Sequence, residues 1–443
     1  MTPGVSATAT KPTNVRWLVF ALGCGTSLTL YLHRYALALI KPELQDRYCW
    51  STTDLGLLDS IFYINYSVFQ IPGGFLADRW GAHLFLGGSI LIWSLALGLI
   101  VVAPGNRLWV QCTRGLFGLG QAGVFAALSR VTRQWFPYSV RTSVQGWVGV
   151  FSGRIGGATG YILFATVLMG LLLFTWQQAT LLFAAGGVLL AVAFLLLFRD
   201  APRHHPWVNE AEAELIAGKD AAQSSDDPSK PPHLSVRDLF RRMSPRSIAN
   251  LLAINVQSLL STVADNIYSA WIPLFLVQVH RLEYKEMGIY STLPLLGGAL
   301  GGVVGGMLND WLIRRTGNPR WSRSGVALVG KGLAAVLFIY GLLVLYDNPY
   351  AFCGMLFFVK FFGDWSLSTM WGTITDISGR VSATVFAFNN SFASVALILA
   401  PALFGYLAQH FGWPAVFTVV AGTYVLCALS WLLVNCTIPL LAE

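Results

Sequence analysis

The sequence predicts an all-α membrane protein with about twelve transmembrane helices in two six-helix halves. Three observations carry that expectation. The 443 residues are 55% hydrophobic and only 11% charged, where a soluble domain carries about 25% charge. Apolar runs long enough to cross a bilayer, about 20 residues each, follow one another along the chain, and none alternates with the period of two that barrel strands need. The stretch GGFLAD at 73–78 after the second run returns as GGMLND at 305–310 after the eighth, each followed by arginine. Matching copies in matching places argue for duplicated halves.

The apolar runs fall at 17–42, 55–77, 84–103, 107–129, 143–168, 177–198, 248–279, 287–313, 324–346, 350–375, 381–408 and 414–437. Their many glycines suit helices that approach closely in lipid. Residues 199–247 break the pattern: they are polar, Pro-rich and charged, with a short surface helix expected around Asn209 to Ala217. The chain thus divides into a first half (1–198), a linker (199–247) and a second half (248–443).

Lysine and arginine set the expected orientation. With the N-terminus in the cytoplasm, nineteen fall on the cytoplasmic side and five, including Lys41, on the other. This places both termini inside, in a plasma (bacterial inner) membrane. The net charge of +8 lies in these loops and is no nucleic-acid footprint. Residues 1–14 are a Thr/Pro-rich tail without a signal-peptide cleavage pattern. The six cysteines show no CxxC or metal spacing. No cofactor or metal is expected, and without a GxxxxGK[ST] stretch the chain does not pump with nucleotide.

The chemistry lies in charges placed inside apolar runs. A guanidinium there costs about 2.5–3.5 kcal/mol and needs a role. Arg34, Arg114 and Arg154 are such residues, and together they suit a carboxylate or phosphate, which a planar guanidinium binds in pairs. For Arg114 the alternative is a structural ion pair, and for Arg154 a contact with a neighbouring helix. Tyr31 shares a helix face with Arg34, and Gln121 shares one with Arg114. Asp265 and Asp364 lie midway along the seventh and tenth runs. Trp371 follows Asp364 by seven residues, and Lys360 one turn before it is a possible partner. His33 stands beside Arg34 and titrates near neutrality when unperturbed. Asp78, Arg79, Arg133, Arg141, Asp310 and Arg314 mark cytoplasmic helix ends and read as a network that closes an inner gate.

GGFLADRWGAHLFL, with Arg114-Gly-Leu-Phe-Gly118, resembles the signatures of the major facilitator superfamily. A narrower resemblance covers nearly the whole chain: the anion–cation symporter family, kin of hexuronate, galactonate, sialic-acid and vesicular glutamate carriers. It is carried by Tyr31 to Arg34, NYSVFQIPGGFLADRWG, RGLFGLGQAG, RQWFP, SGRIGGA, RDAPRHHPWVNEAE, WIPLFL and WGTITDISGR. The resemblance implies alternating access, with a small organic anion held mid-membrane between the halves and a coupling cation, H+ or Na+. It implies Arg34 as principal anion ligand, Tyr66 as the binding-site tyrosine, and Asn389 and Asn390 as polar contacts, with either of the two as the one that faces inward. The family's proton-coupling acids, just before the first-helix arginine and seven residues after the fourth-helix arginine, are His33 and Gln121 here. Coupling would then rest on His33, Asp364 or Asp265. An exchanger or facilitator needs no such acid. A transporter-like sensor lacks a soluble segment of sufficient size, and a membrane hydrolase would leave His33 with only Thr29 near it at helical spacing. The expected unit is a monomer in the bilayer.

Overall fold

Each apolar run becomes one helical span in the computed structural model, which describes residues 11–217, 241, 243–378 and 382–440. The first half contains α1 (Val15–Tyr48), α2 (Thr52–Leu99), α3 (Arg107–Gln121), α4 (Val124–Trp135), α5 (Tyr138–Gln145), α6 (Ser152–Tyr161) and α7 (Trp176–Leu197). α2 makes two spans, because Gly81 (φ 83°) folds the helix back on itself. α3 and α4 form one broken span; α5 and α6, with the π-helical stretches Gly146–Phe151 and Ile162–Leu171, form another. After the surface helix α8 (Glu210–Ala217), the second half contains α9 (Pro245–Ala270), α10 (Ile272–His280), α11 (Tyr284–Thr316), α12 (Pro319–Tyr340), α13 (Pro349–Gly363), α14 (Trp365–Ser378), α15 (Ser382–Phe411) and α16 (Trp413–Ser430). Among the described residues there is no strand.

Local chemistry sets the ends of these helices. Ser51 and Asp54 form a capping box that starts α2. Asn106, Asn318 and Asn348 each accept from a backbone N–H two or three positions into α3, α12 and α13. The crossing of α2 with the α3–α4 break depends on glycine: Gly123 has φ 76°, and a Cβ there would lie 2.7 Å from the Gly73 backbone.

The linker motif has a structural task. Glu212, fully buried, accepts from the backbone N–H of Val15 and of Arg16 at 3.0 Å each, and from the Thr13 hydroxyl at 2.5 Å. It thereby satisfies the open N-terminus of α1. Asp200 accepts from His83 N at 3.1 Å, where the α2 turn at Gly81 leaves its amides free. His205 lies against Trp135 and bonds the Leu197 carbonyl at 3.0 Å. Residues 218–240 of the expected linker lie outside the described residues.

The two ends of the bundle differ. At the end holding Tyr48, Thr52 and Phe411, the halves join. Thr53 donates to Gln409, Tyr161 to the Ser269 carbonyl (2.8 Å), Tyr284 to Glu43 (2.7 Å) and Thr166 to the Lys285 carbonyl (2.9 Å), and Gln278 bonds Gln45. We call this the sealed end. At the opposite, basic end, the described ion pair of the expected gate residues stays within one half. Asp78 pairs with Arg130 of its own half at 3.1 Å, and Arg141 donates to the carbonyls of Phe136 and Arg133, capping α4. Arg79, Arg133, Asp310 and Arg314 are exposed.

Glu212→Ala should lower the thermal unfolding temperature of the purified protein. A loss of about 2 kcal/mol is expected from orphaning the α1 amides, and a smaller loss for Glu212→Gln. An unchanged transition in both variants would remove the linker contact from the stability of the fold.

Candidate functional site

Arg34 sits on the inward face of α1 and is the centre of an aromatic cage. Its guanidinium carbon lies 5.0 Å from the Tyr31 ring, 5.2 Å from Phe62 and 4.9 Å from Tyr66, distances that favour cation–π attraction. Its Nε donates to Gln121 Oε1 at 3.0 Å, and Gln121 Nε2 in turn donates to the Leu30 carbonyl at 3.1 Å. Gln121 is the last residue of α3, so the helix break fixes the amide against α1. Buried Nη2 of Arg34 has no protein partner. The structure brings Tyr31, Arg34, Tyr66 and Gln121 into one group.

Arg114 lies behind this cage. It is 1% exposed, with its guanidinium carbon 5.0 Å from both Phe62 and Phe117. Nη2 pairs with Asp59 Oδ1 at 3.3 Å, while Nε and Nη1 have no protein partner. The structural ion pair weighed from sequence is therefore present. Its acid, Asp59, was missed in the sequence reading, as was the second cation on it: Lys41 Nζ lies 2.6 Å from Asp59 Oδ2. Lys41 is not the loop residue expected from the charge count but fully buried. The signal was available, since Asp59 interrupts an apolar run and had no assigned partner. Arg154 lies on α6, but its side chain is outside the described residues.

In the second half Lys360 holds both expected acids, Asp265 at 2.7 Å and Asp364 at 2.6 Å. Asp364 is the residue at which α13 ends before α14 begins. Lys360 also lies 5.5 Å from the Tyr268 ring, and the Tyr268 hydroxyl bonds that of Tyr424 at 3.0 Å. Tyr424 in turn faces a second buried lysine, Lys331, whose ammonium donates to Ser261 at 2.8 Å. Lys331 was not singled out from sequence either.

The expectation for His33 is corrected, and the places of Asn389, Asn390 and Trp371 follow. His33 does not face the cage: it is 1% exposed, stacks on Phe183 of α7 at 6.1 Å, and lies beside Ser94 and Gly187. One residue along a helix turns the side chain by about 100°, so the neighbour of Arg34 points to another surface, away from Asp364. Asn389 is turned into the second half, donating to Asn255 at 3.1 Å and Ser258 at 2.9 Å; Asn390 is exposed. Trp371 is half exposed and packs on Phe386, apart from the arginine cage.

Comparison with known proteins fits this geometry. The family model of the Major Facilitator Superfamily matches residues 23–321. The chain belongs to the Major Facilitator Superfamily. It is a membrane transporter and not an enzyme. It is 28% identical to a probable sulfoacetate transporter of Cupriavidus necator, over 90% of this chain and 88% of the relative. It is 28% identical to a probable galactarate/D-glucarate transporter of Bacillus subtilis, over 96% and 93%, and 27% identical to a hexuronate transporter of Escherichia coli, over 93% and 92%. These are relatives of the kind the sequence resemblance named. Among solved structures, an inward-facing bacterial homolog of the human lysosomal transporter Spinster superposes with a TM-score of 0.70 at 17% identity, covering 95% of each chain. A nucleoside transporter gives 0.67 at 14%, covering 95% of this chain and 99% of that one. Both likenesses concern the fold alone.

Lys360→Met should destabilise the protein by about 3–5 kcal/mol, because two acids lose their buried counter-charge. Adding Asp364→Asn to it should recover part of that loss. Simple additivity of the two changes in a double-mutant cycle would show that Lys360 and Asp364 do not depend on each other.

Proposed function

We propose that the chain is a secondary active transporter of small organic anions, working by alternating access. The observation that carries this reading is the cage around Arg34: a half-buried cation whose buried Nη2 has no protein partner, with Gln121 fixing its other edge and Arg114 close behind. An anion's carboxylate or sulfonate supplies what that edge lacks, as a charge-assisted pair. The relatives' names support the same class, since sulfoacetate, galactarate, D-glucarate and hexuronates are all small acids. We take the domain limits as 1–198 and 248–443 around the linker, the basic end as cytoplasmic by the positive-inside rule, and the membrane as the bacterial inner membrane. On that orientation the conformation is open to the cytoplasm, and the unit is a monomer.

Arg34→Lys keeps the charge and loses the planar fork. Uptake of radiolabelled D-glucarate, galacturonate and sulfoacetate into proteoliposomes should fall about tenfold or more, the loss of one charge-assisted hydrogen bond. Wild-type uptake in this variant would retire Arg34 as the ligand.

Coupling to H+ or Na+ falls, in this reading, to the Asp265–Lys360–Asp364 cluster, because His33 is packed away from the cage and Gln121 carries no proton. Asp364→Asn should abolish uptake against a gradient while counterflow of labelled anion persists. Loss of both modes together would assign Asp364 to folding or gating. Persistence of both would favour the second reading, an organic-anion exchanger or facilitator without a coupling cation, which the amide at 121 supports.

A further inference from the structure

Two buried cations of the first half share one carboxylate. Asp59 gives Oδ2 to Lys41 at 2.6 Å and Oδ1 to Arg114 at 3.3 Å. Lys41 does more than pair. Its ammonium also donates to the Ala270 carbonyl at 2.8 Å and lies 3.9 Å from the Trp271 ring. Both residues belong to the second half, at the break where α9 ends and α10 begins. Lys41 is thus a buried cation seated in the sealed end, and its counter-charge is also the counter-charge of Arg114. Arg34 and Arg114 each lie about 5 Å from the centre of the Phe62 ring.

We propose that Asp59 is a shared counter-charge that ties the sealed end to the anion site, with Lys41 and Asp59 as positioning residues. This rests on the reading of Arg34 as the anion ligand. One carboxylate cannot fully compensate two cations in a medium of low dielectric constant. An anion held by Arg34 acts as a second counter-charge for Arg114, the neighbouring guanidinium. Asp59 is then released toward Lys41, which holds the ammonium under the Ala270 carbonyl and tightens the seal. Opening runs the other way. Lys41 leaves Ala270 and Trp271 for water, where its ion pair weakens, and Asp59 is left to close on Arg114 as a fork. Anion and closed seal therefore favour each other, and by linkage the effect is reciprocal. That sign suits a carrier that must enclose its cargo before the basic end releases it.

The test uses the full chain in lipid nanodiscs. Nitroxides are attached at Val102→Cys and Asp347→Cys, both exposed at the sealed end, with exposed Cys49 and Cys112 replaced by serine. Pulsed electron resonance then gives the fraction of molecules with an open seal, without any anion. Lys41→Met should raise the open fraction severalfold. Arg114→Met should lower it below the wild type, because Asp59 then serves Lys41 alone. Lys41→Arg should stay near the wild type. Opening in both Lys41→Met and Arg114→Met would overturn the proposal, since loss of packing alone moves both the same way. Should Arg114→Met not fold, Asp59→Asn decides: it must open the seal as far as Lys41→Met, and the double variant no further. Additive opening would refute the shared charge. Saturating D-glucarate forms a second arm, and it should close the seal in the wild type but not in Asp59→Asn. Opposite shifts in the first arm without any glucarate response would count against D-glucarate as cargo and leave the link standing.

Discussion

A charge inside a bilayer must be compensated where it stands, and this constraint orders the whole molecule. Among the described residues, no ion pair joins the two halves: Arg16 pairs with Glu212 of the linker, while Arg47 with Glu43, Arg107 with Asp54, Lys41 and Arg114 with Asp59, Arg130 with Asp78, Arg323 with Asp376, and Lys360 with its two acids each pair within a half. Besides apolar packing and the Lys41 ammonium over the Trp271 ring, the contacts that cross between halves are hydrogen bonds, several of them to backbone carbonyls. Two rigid bodies that must part and rejoin can exchange such bonds with water at small net cost. They could not part as readily if each separation exposed a naked buried charge.

The helix breaks serve the same constraint. A continuous helix satisfies its own backbone and has nothing to give a side chain. At Ala122–Gly123, at Ala270–Ile272 and at Gly363–Trp365 the spans are interrupted. Beside those three points stand Gln121, Lys41 and Asp364. The second break frees the Ala270 carbonyl that receives Lys41, and the first ends α3 where Gln121 meets the backbone of α1. Irregular backbone at membrane depth occurs where it lines a site, and here each break stands beside a buried polar side chain.

The twelve spans were legible because hydropathy is a local property, and bilayer thickness fixes its length scale. The cage around Arg34 was legible too, since Tyr31 and Arg34 share a helical face by spacing alone. Which face meets the cavity was not. Neighbouring residues on a helix point about 100° apart, so His33 is read on the wrong surface, and which of Asn389 and Asn390 faces inward stays open in the sequence. Lys41 and Asp59 were missed for another reason. A charge near the end of an apolar run is usually in the interface. Only the length of α1, 34 residues with Pro42 inside it, carries Lys41 back into the protein. The linker motif stood out as unexplained by membrane physics, and its reason, Glu212 on the start of α1, is a contact 197 residues away in sequence.

Gln121 shows how one neutral side chain reshapes the energetics of the site. A carboxylate at that position would hold Arg34 as an ion pair, and an incoming anion would have to displace it or wait for its protonation. The amide instead fixes the geometry of Nε through a neutral acceptor and leaves the guanidinium its full charge. In the reading proposed above, Arg34 then meets an anion without a competing carboxylate. In the same reading a coupling ion acts through a carboxylate elsewhere, since Gln121 carries no proton. Within the membrane the described candidates are Asp59, which two cations share, and Asp265 and Asp364, which share one. The first cluster carries an excess positive charge and the second an excess negative charge. Proton binding relieves an excess negative charge and worsens an excess positive one. In the proposed reading, the ion pairs given above place the coupling cation with Asp265 and Asp364 in the second half and the anion with Arg34 in the first.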